Sequence, residues 1–211
     1  MKKTFFTTFT GLLLAAGFSF ILTSCQKEQN SDFISNQKED PAQTTLANAS
    51  AATGCNVIVP DSLKVPAGNK LVLQTYAKGV QIYQLKRSTT NPDVLVWVNT
   101  APSATLYAKP DFTNQLGTHF GGPSWQFTKG VFKDQRVVGT KLKGSNQDPT
   151  AVPWLLLKAV DSLSSANNKI TYIQRLCTTG GLAPAPPVAS DDEGRIDSIP
   201  YTAAYLFYTK N

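Results

Sequence analysis

The stretch from Gly117 to Trp125 holds the densest group of chemically useful side chains in this sequence. Within nine residues it contains the only histidine of the chain, His119, together with Gly122, Ser124 and an indole. A histidine can donate, accept or carry a proton near neutral pH, and a glycine lets a ligand approach the backbone closely. An indole supplies a flat wall for stacking. We therefore predict a ligand-binding pocket that includes His119, Gly122, Ser124 and Trp125.

Two other interpretations of this stretch stay open. An acyl-transfer enzyme would use Ser124 as nucleophile and His119 as base, but it also needs a carboxylate to orient the histidine, and the spacing shows neither contact. Alternatively, a Gly-Gly-Pro turn simply joins two strands, one of which carries a hydrogen-bonded histidine. We favour a non-catalytic binding or structural module, keep an envelope hydrolase as the alternative, and assign no catalytic residue.

Arg175 is the second candidate for ligand binding. It lies in an apolar run of strand type, where alternation places it on the same face as Ile173. Its guanidinium would suit a carboxylate or phosphate, although it would equally suit an ion pair with the acidic loop at Asp191–Glu193. If Arg175 meets His119 in one concavity, the sequence predicts a small-molecule ligand. A glycan is the other candidate, since tryptophans and tyrosines are frequent in the chain, although we expect Trp97 and Trp154 to pack in the core.

Metal, cofactor and nucleic-acid chemistry find no support in the sequence. The run Asp191–Asp197 offers oxygen ligands without the spacing of a known calcium loop, and Glu193 is the only glutamate after Cys55, which speaks against a pair of glycosidase carboxylates. From Cys55 onward, 16 basic residues face 10 acidic ones. That excess favours anionic surfaces, but it forms no basic stripe of the kind that binds nucleic acid.

A secretory leader precedes these segments. Lys2 and Lys3 are followed by an apolar run from Phe5 to Leu22, as in signal peptides. The other interpretation is a transmembrane helix, which needs about 20 apolar residues. Leu22-Thr23-Ser24-Cys25 resembles the lipobox of lipoprotein signal peptides, and this resemblance implies that Cys25 is acylated and becomes the N-terminus. We expect residues 1–24 to be the signal peptide.

Residues 25–54 are expected to form the lipidated N-terminus and a flexible tether. Gln26, rather than Asp, follows the cysteine, which by resemblance to known sorting rules favours the outer membrane. The motif Gln26-Lys27-Glu28 is also similar to signals that carry some lipoproteins to the cell surface. The tether has few large apolar residues and cannot bury enough surface to fold. We expect a lipid-anchored protein on the outer membrane, facing the periplasm or the cell exterior.

Residues 55–211 are predicted to form a single all-β domain, either an antiparallel sandwich or a closed barrel. The apolar pattern repeats every two residues and predicts about nine or ten strands separated by Gly, Pro, Asn and Asp. Lys78-Gly79 is interpreted as a hairpin turn between two of them. Cys55 and Cys177 remain once Cys25 is acylated, and in an oxidising envelope they are candidates for a disulfide.

Several separate blocks together resemble one family. They are similar to a family of secreted bacterial and fungal proteins known only as a domain of unknown function, and they recur in this order: Val65–Gly68, Gly79–Tyr83, Ala104–Tyr107, Gly117–Trp125, Pro153–Leu157, Thr171–Arg175, Gly180–Pro184 and Pro200–Ala203. The sequence departs from that pattern at Leu85, where relatives often carry Cys, and at Cys177, where they commonly do not. The family's disulfide pattern is therefore not carried over.

Some members of that family are labelled malate dehydrogenase. This sequence speaks against that activity, because it has no strand followed by Gly-x-Gly-x-x-Gly at the start of a helix and no βαβ unit to hold a dinucleotide. Its Gly121-Gly122 and Gly180-Gly181 pairs lie among prolines. We expect no cofactor.

Overall fold

The computed structural model describes residues 57–163, 169–186 and 192–211. In these residues one antiparallel sheet closes on itself as a barrel, in which each strand pairs with the next and the last pairs with the first. The predicted all-β fold is confirmed, and the barrel is the form it takes. The described strands are β1 (Asn69–Arg87), β2 (Leu95–Tyr107), β3 (Gln115–Phe120), β4 (Ser124–Phe127), β5 (Arg136–Ser145), β6 (Trp154–Leu163), β7 (Ile170–Gly180) and β8 (Ile196–Lys210).

The described strands number eight rather than nine or ten, because predicted strands merge in β1 and in β2. The predicted turn at Lys78-Gly79 is wrong: both residues lie inside β1, where Gly79 is paired with Ala104 on one side and with Tyr201 on the other. A Cβ at Gly79 would collide with the backbone oxygen of Ser103. The glycine therefore allows a close approach of two strands, and it does not mark a turn.

The barrel interior has two ends of different character. The packed end is the half filled by apolar side chains, in which the Phe127 and Phe207 rings meet edge to face at 5.3 Å. Phe132, Ile170 and Ile173 are buried in the same cluster. The open end is the half near the β3–β4 turn and the start of β6, and it contains a cavity. Some strands supply both ends: β7 carries Ile173 and Arg175, and β8 carries Phe207 and Tyr205.

A second apolar cluster covers the outside of the barrel wall. The segment before β1 includes one 3₁₀ turn, Asp61–Leu63, and lays Val59 and Leu63 against the outer side chains of β6, β7 and β8. The Gln174 side-chain amide donates to the Leu63 carbonyl at 2.7 Å. Trp154 belongs to this cluster and is buried, as the sequence suggested for it. Within residues 57–163, 169–186 and 192–211, no helix has the length and apolar character to cross a bilayer.

Candidate functional site

A cavity of about 380 Å³ occupies the open end of the barrel. That volume lies in the range of small-molecule sites. All strands from β1 to β8 contribute to its lining, together with the β3–β4 turn and the residues before β6. Its wall is largely apolar, and its polar side chains are few: Gln81, Asn99, Thr100, His119, Lys141 and Arg175, with the hydroxyls of Tyr83 and Tyr205.

Four of the five residues predicted for ligand binding line this one cavity. His119 comes from β3, Gly122 from the β3–β4 turn, Trp125 from β4 and Arg175 from β7. Gly122 has a φ of +105°, a backbone conformation that favours glycine. The convergence follows from strand alternation, which turns every second side chain of a barrel strand inward.

His119 and Trp125 lie together in the cavity lining, with their rings stacked face to face. The two residues are direct partners across the β3–β4 pairing, and their rings stack with centroids 4.6 Å apart and planes 8° from parallel. Tyr205 meets the His119 ring edge to face at 4.9 Å. The indole fits because residue 139, in the neighbouring strand β5, is glycine: a Cβ there would lie 3.1 Å from Trp125 Cζ3.

The protonation state of His119 follows from its surroundings. Its Nδ1 lies 2.9 Å from the Ser124 carbonyl oxygen, so Nδ1 carries the proton and donates it, which leaves Nε2 as an acceptor. The pKa of His119 is lowered to about 3: burial is the main cause and the nearby charge of Arg175 adds to it, while the bond to the Ser124 carbonyl opposes the change. His119 is therefore neutral at physiological pH.

Ser124 does not line the cavity, which corrects the prediction for this residue. It precedes Trp125 directly in β4, and successive strand residues point to opposite faces of the sheet. Its hydroxyl accepts a 3.3 Å hydrogen bond from Arg136, and only its carbonyl contacts His119. The pairing of a Ser124 hydroxyl with a His119 base, which the hydrolase alternative requires, is not formed.

Arg175 is held by a backbone carbonyl. Its Nε and Nη2 both donate to the Pro153 oxygen, at 3.0 and 2.8 Å. The acidic loop residues are engaged elsewhere: Asp192 pairs with Arg195 at 2.6 Å and Glu193 with Arg87 at 3.0 Å, while Asp191 lies outside the described residues. Arg175 is thus fixed in orientation but is not neutralised by either described carboxylate of that loop.

Six polar residues of the cavity were missed by the sequence analysis: Gln81, Tyr83, Asn99, Thr100, Lys141 and Tyr205. The buried Gln81 Nε2, Trp125 Nε1 and Tyr205 hydroxyl have no hydrogen-bond partner in the described part of the chain. Burial raises the pKa of Tyr205, although Arg175 and Tyr201 lie near enough to oppose that rise. Only Tyr205 carried a signal in the sequence, since it is a polar residue on the inward face of the apolar run Ala203–Phe207.

The remaining predicted sites have simpler outcomes. Cys177 is disulfide-bonded, but Cys55 lies outside the described residues, so their pairing stays a prediction. Cys25 also lies outside them. Among the described residues no three His, Cys, Asp or Glu side chains are grouped as a metal site requires. Trp97 is only half-buried and donates to the Ala185 carbonyl at 3.1 Å. The prediction that Trp97 packs in the core is therefore wrong.

Comparison with known proteins gives a family and a distant structural likeness. The sequence profile of a family described as a protein of unknown function (DUF3455) matches residues 66–209, which cover the barrel up to Thr209. No curated protein sequence matches the chain. The structure is similar to that of the pterocarpan synthase dirigent protein GePTS1, at 13% identity and a TM-score of 0.35, over 72% of this chain and 96% of the other. The predicted membership of an uncharacterised domain family is confirmed.

Proposed function

This chain belongs to the DUF3455 family, whose function is unknown. From the geometry of the site we propose that the barrel is a non-catalytic module, which binds a small organic molecule in the cavity of its open end. The proposal rests mainly on one observation. Three side chains that line a largely apolar cavity each carry a buried polar atom without a partner in the described residues: Gln81, Trp125 and Tyr205. Since leaving such a group unsatisfied costs about 1–3 kcal/mol, a ligand that supplies partners would bind there favourably.

The chemistry of His119 supports binding over catalysis. A general base works best when its pKa lies near the operating pH, and burial holds the pKa of His119 at about 3. Its Nδ1 is engaged by the Ser124 carbonyl, and the Ser124 hydroxyl lies with Arg136. These contacts suit a fixed hydrogen-bonding wall.

Ligand screening by thermal shift, on the full chain purified in detergent, tests the binding proposal. The library should hold both small organic molecules and oligosaccharides, and a ligand at 100 times its Kd is expected to stabilise the native state by about 2.7 kcal/mol. Ala101→Phe places a ring at the cavity lining and should abolish that stabilisation. Ala108→Phe makes the same change at an exposed position just beyond β2 and is the control.

Two results would contradict the binding proposal. One is a library without any stabilising compound. The other is a stabilising compound whose effect survives Ala101→Phe, because that compound would bind elsewhere on the protein.

We further propose that acyl chains on Cys25 hold this module on the outer membrane, with residues 26–54 as the tether. The support is the Leu22-Thr23-Ser24-Cys25 motif and the polar composition that follows it. A lipoprotein cysteine of this type would carry three acyl chains, and two membrane-binding groups already suffice for stable anchoring. The module would then act on molecules that reach the envelope.

Mass spectrometry of the N-terminal peptide tests the anchor. In a bacterial host, the mature chain should begin at an acylated Cys25 and should fractionate with membranes. Cys25→Ala should abolish acylation, whereas Cys55→Ala should leave it intact. An unmodified Cys25 in the wild-type chain would contradict the anchor and would leave the binding proposal untouched.

A further inference from the structure

The cavity carries positive charge that the described part of the chain does not balance. Arg175 and Lys141 both line it, and no aspartate or glutamate does. The ion pairs formed among the described residues use other cations, namely Lys64, Arg87, Lys133 and Arg195. The Pro153 carbonyl orients the Arg175 guanidinium, but a carbonyl leaves the charge in place. Charge alone therefore favours an anion.

The polar atoms of the cavity lining that lack a hydrogen-bond partner also favour an anionic ligand. An indole N–H and an amide NH₂ can only donate, and a tyrosine hydroxyl can donate as well as accept. Among the residues that line the cavity, the buried atoms without a partner are of these kinds: Trp125 Nε1, Gln81 Nε2 and the Tyr205 hydroxyl. The Gln81 carbonyl oxygen, in contrast, already accepts a bond from Asn99 at 3.0 Å. These three groups would be satisfied by a ligand that supplies hydrogen-bond acceptors.

The rest of the lining suits an apolar and flat body. Trp125 and His119 present stacked rings, and Leu155, Leu157 and Pro102 add aliphatic surface. A planar aromatic ring placed against such a wall gains both apolar burial and stacking. The ligand should therefore combine an acceptor-rich anionic end with an apolar ring.

We infer that the cavity selects an aromatic or similarly flat carboxylate. This inference rests on the proposed binding function and names the ligand class. A carboxylate accepts hydrogen bonds through both oxygens and never donates when ionised, so it supplies the missing acceptors and the missing charge together. A phosphate fits less well, because phosphate sites are typically built from several cations or from the N–H groups of a helix N-terminus, whereas this cavity has one half-buried guanidinium and one exposed ammonium.

Calorimetric titration with three matched probes tests the inference on the full chain in detergent: 2-naphthoate, its neutral amide 2-naphthamide, and 2-naphthyl phosphate. Naphthoate should bind about tenfold or more tightly than the amide, since hydrogen bonds to a charged group are worth more than neutral ones. Arg175→Gln should remove most of that preference while leaving the affinity for the amide nearly unchanged.

Matched variants test whether the preference for naphthoate depends on the cations of the cavity or on any cation at the protein surface. Arg87→Gln makes the same change at an exposed strand position outside the cavity and should leave the preference intact. Lys141→Gln should weaken the binding of naphthoate by a smaller factor than Arg175→Gln does. Lys143→Gln, two residues further along β5, should leave the binding of naphthoate unchanged. If Arg175→Gln does not fold, Arg175→Lys and Lys141→Gln carry the test. The first keeps the charge and loses the two-point contact with Pro153.

The outcomes separate this inference from the function on which it rests. Equal affinity for naphthoate and naphthamide, or tighter binding of the phosphate, overturns the assignment of a carboxylate and leaves small-molecule binding standing. An equal loss in Arg175→Gln and Arg87→Gln overturns the role of the cavity cation. If no naphthalene probe binds and the thermal-shift screen is also flat, the binding function itself is overturned.

Discussion

Phe207 and Tyr205 lie two residues apart on the inward face of β8, yet they belong to opposite ends of the barrel interior. Around Phe207, aromatic and aliphatic side chains fill the space. Around Tyr205, a hydroxyl is buried without a hydrogen-bond partner in the described residues, beside a cavity. The same change occurs on β7 between Ile173 and Arg175. One end is thus fully packed, and the other retains buried polar groups that no described residue satisfies.

The largest expected effect lies at the packed end. Phe207→Ala removes a fully buried ring and should lower the free energy of unfolding by about 3–5 kcal/mol. Urea denaturation measures the change. Val160→Ala, at a position that is 60% exposed, should shift stability by less than about 0.5 kcal/mol. A loss below about 1 kcal/mol for Phe207→Ala would mean that the packed end is not the stabilising half.

The second effect is a pH dependence that arises at the open end. Since burial lowers the pKa of His119 to about 3, the unfolded chain binds a proton below about pH 6.5 that the native chain does not. The contribution of His119 to stability is therefore full above pH 6.5 and is lost as the pH falls toward 3, by up to about 1.4 kcal/mol per pH unit.

Denaturation at pH 7.5, 6.0 and 5.0 measures this slope. His119→Asn keeps a side-chain N–H for the Ser124 carbonyl and removes the titrating group, so its slope over this range should be smaller than that of the wild type. Since the chain contains a single histidine, equal slopes in the two proteins would contradict the buried, neutral state assigned to His119.

Gly139→Ala tests how the wall of the cavity is accommodated. The new methyl would lie 3.1 Å from the Trp125 ring, and the indole, enclosed by Tyr205 and Phe207, has little room to yield. We expect a loss of about 1–2 kcal/mol from overpacking. Gly144→Ala meets the ends of flexible side chains instead, and its smaller loss serves as the control. Equal losses would show that Trp125 is free to shift.

The smallest expected change in stability gives the sharpest test of the difference between the packed end and the open end. Tyr205→Phe removes a buried hydroxyl that has no partner in the described residues, so stability should change by less than about 1 kcal/mol and should not fall appreciably. The same variant should weaken ligand binding. A large loss of stability would show that the hydroxyl is part of the structural core, and that the two ends do not differ as described.

The sequence predicted part of this arrangement for clear physical reasons. His119 and Trp125 are six residues apart and pair directly across a short turn, and alternation turns Arg175 inward with Ile173. The same alternation excludes Ser124, which is adjacent to Trp125 and must face the other way, so that error was avoidable. Gln81 and Lys141 were not predictable, because their position at the cavity depends on the register and closure of the whole barrel.

The nitrogen and proton signals of the single imidazole provide the most direct test of a ligand-binding open end. Long-range ¹H–¹⁵N spectra of the full chain should show His119 neutral and protonated on Nδ1 at pH 7. A ligand found by thermal shift should move these signals saturably, with the same Kd as calorimetry, while signals from Phe207 stay in place. Ligand binding that leaves the imidazole signals unchanged would contradict the account.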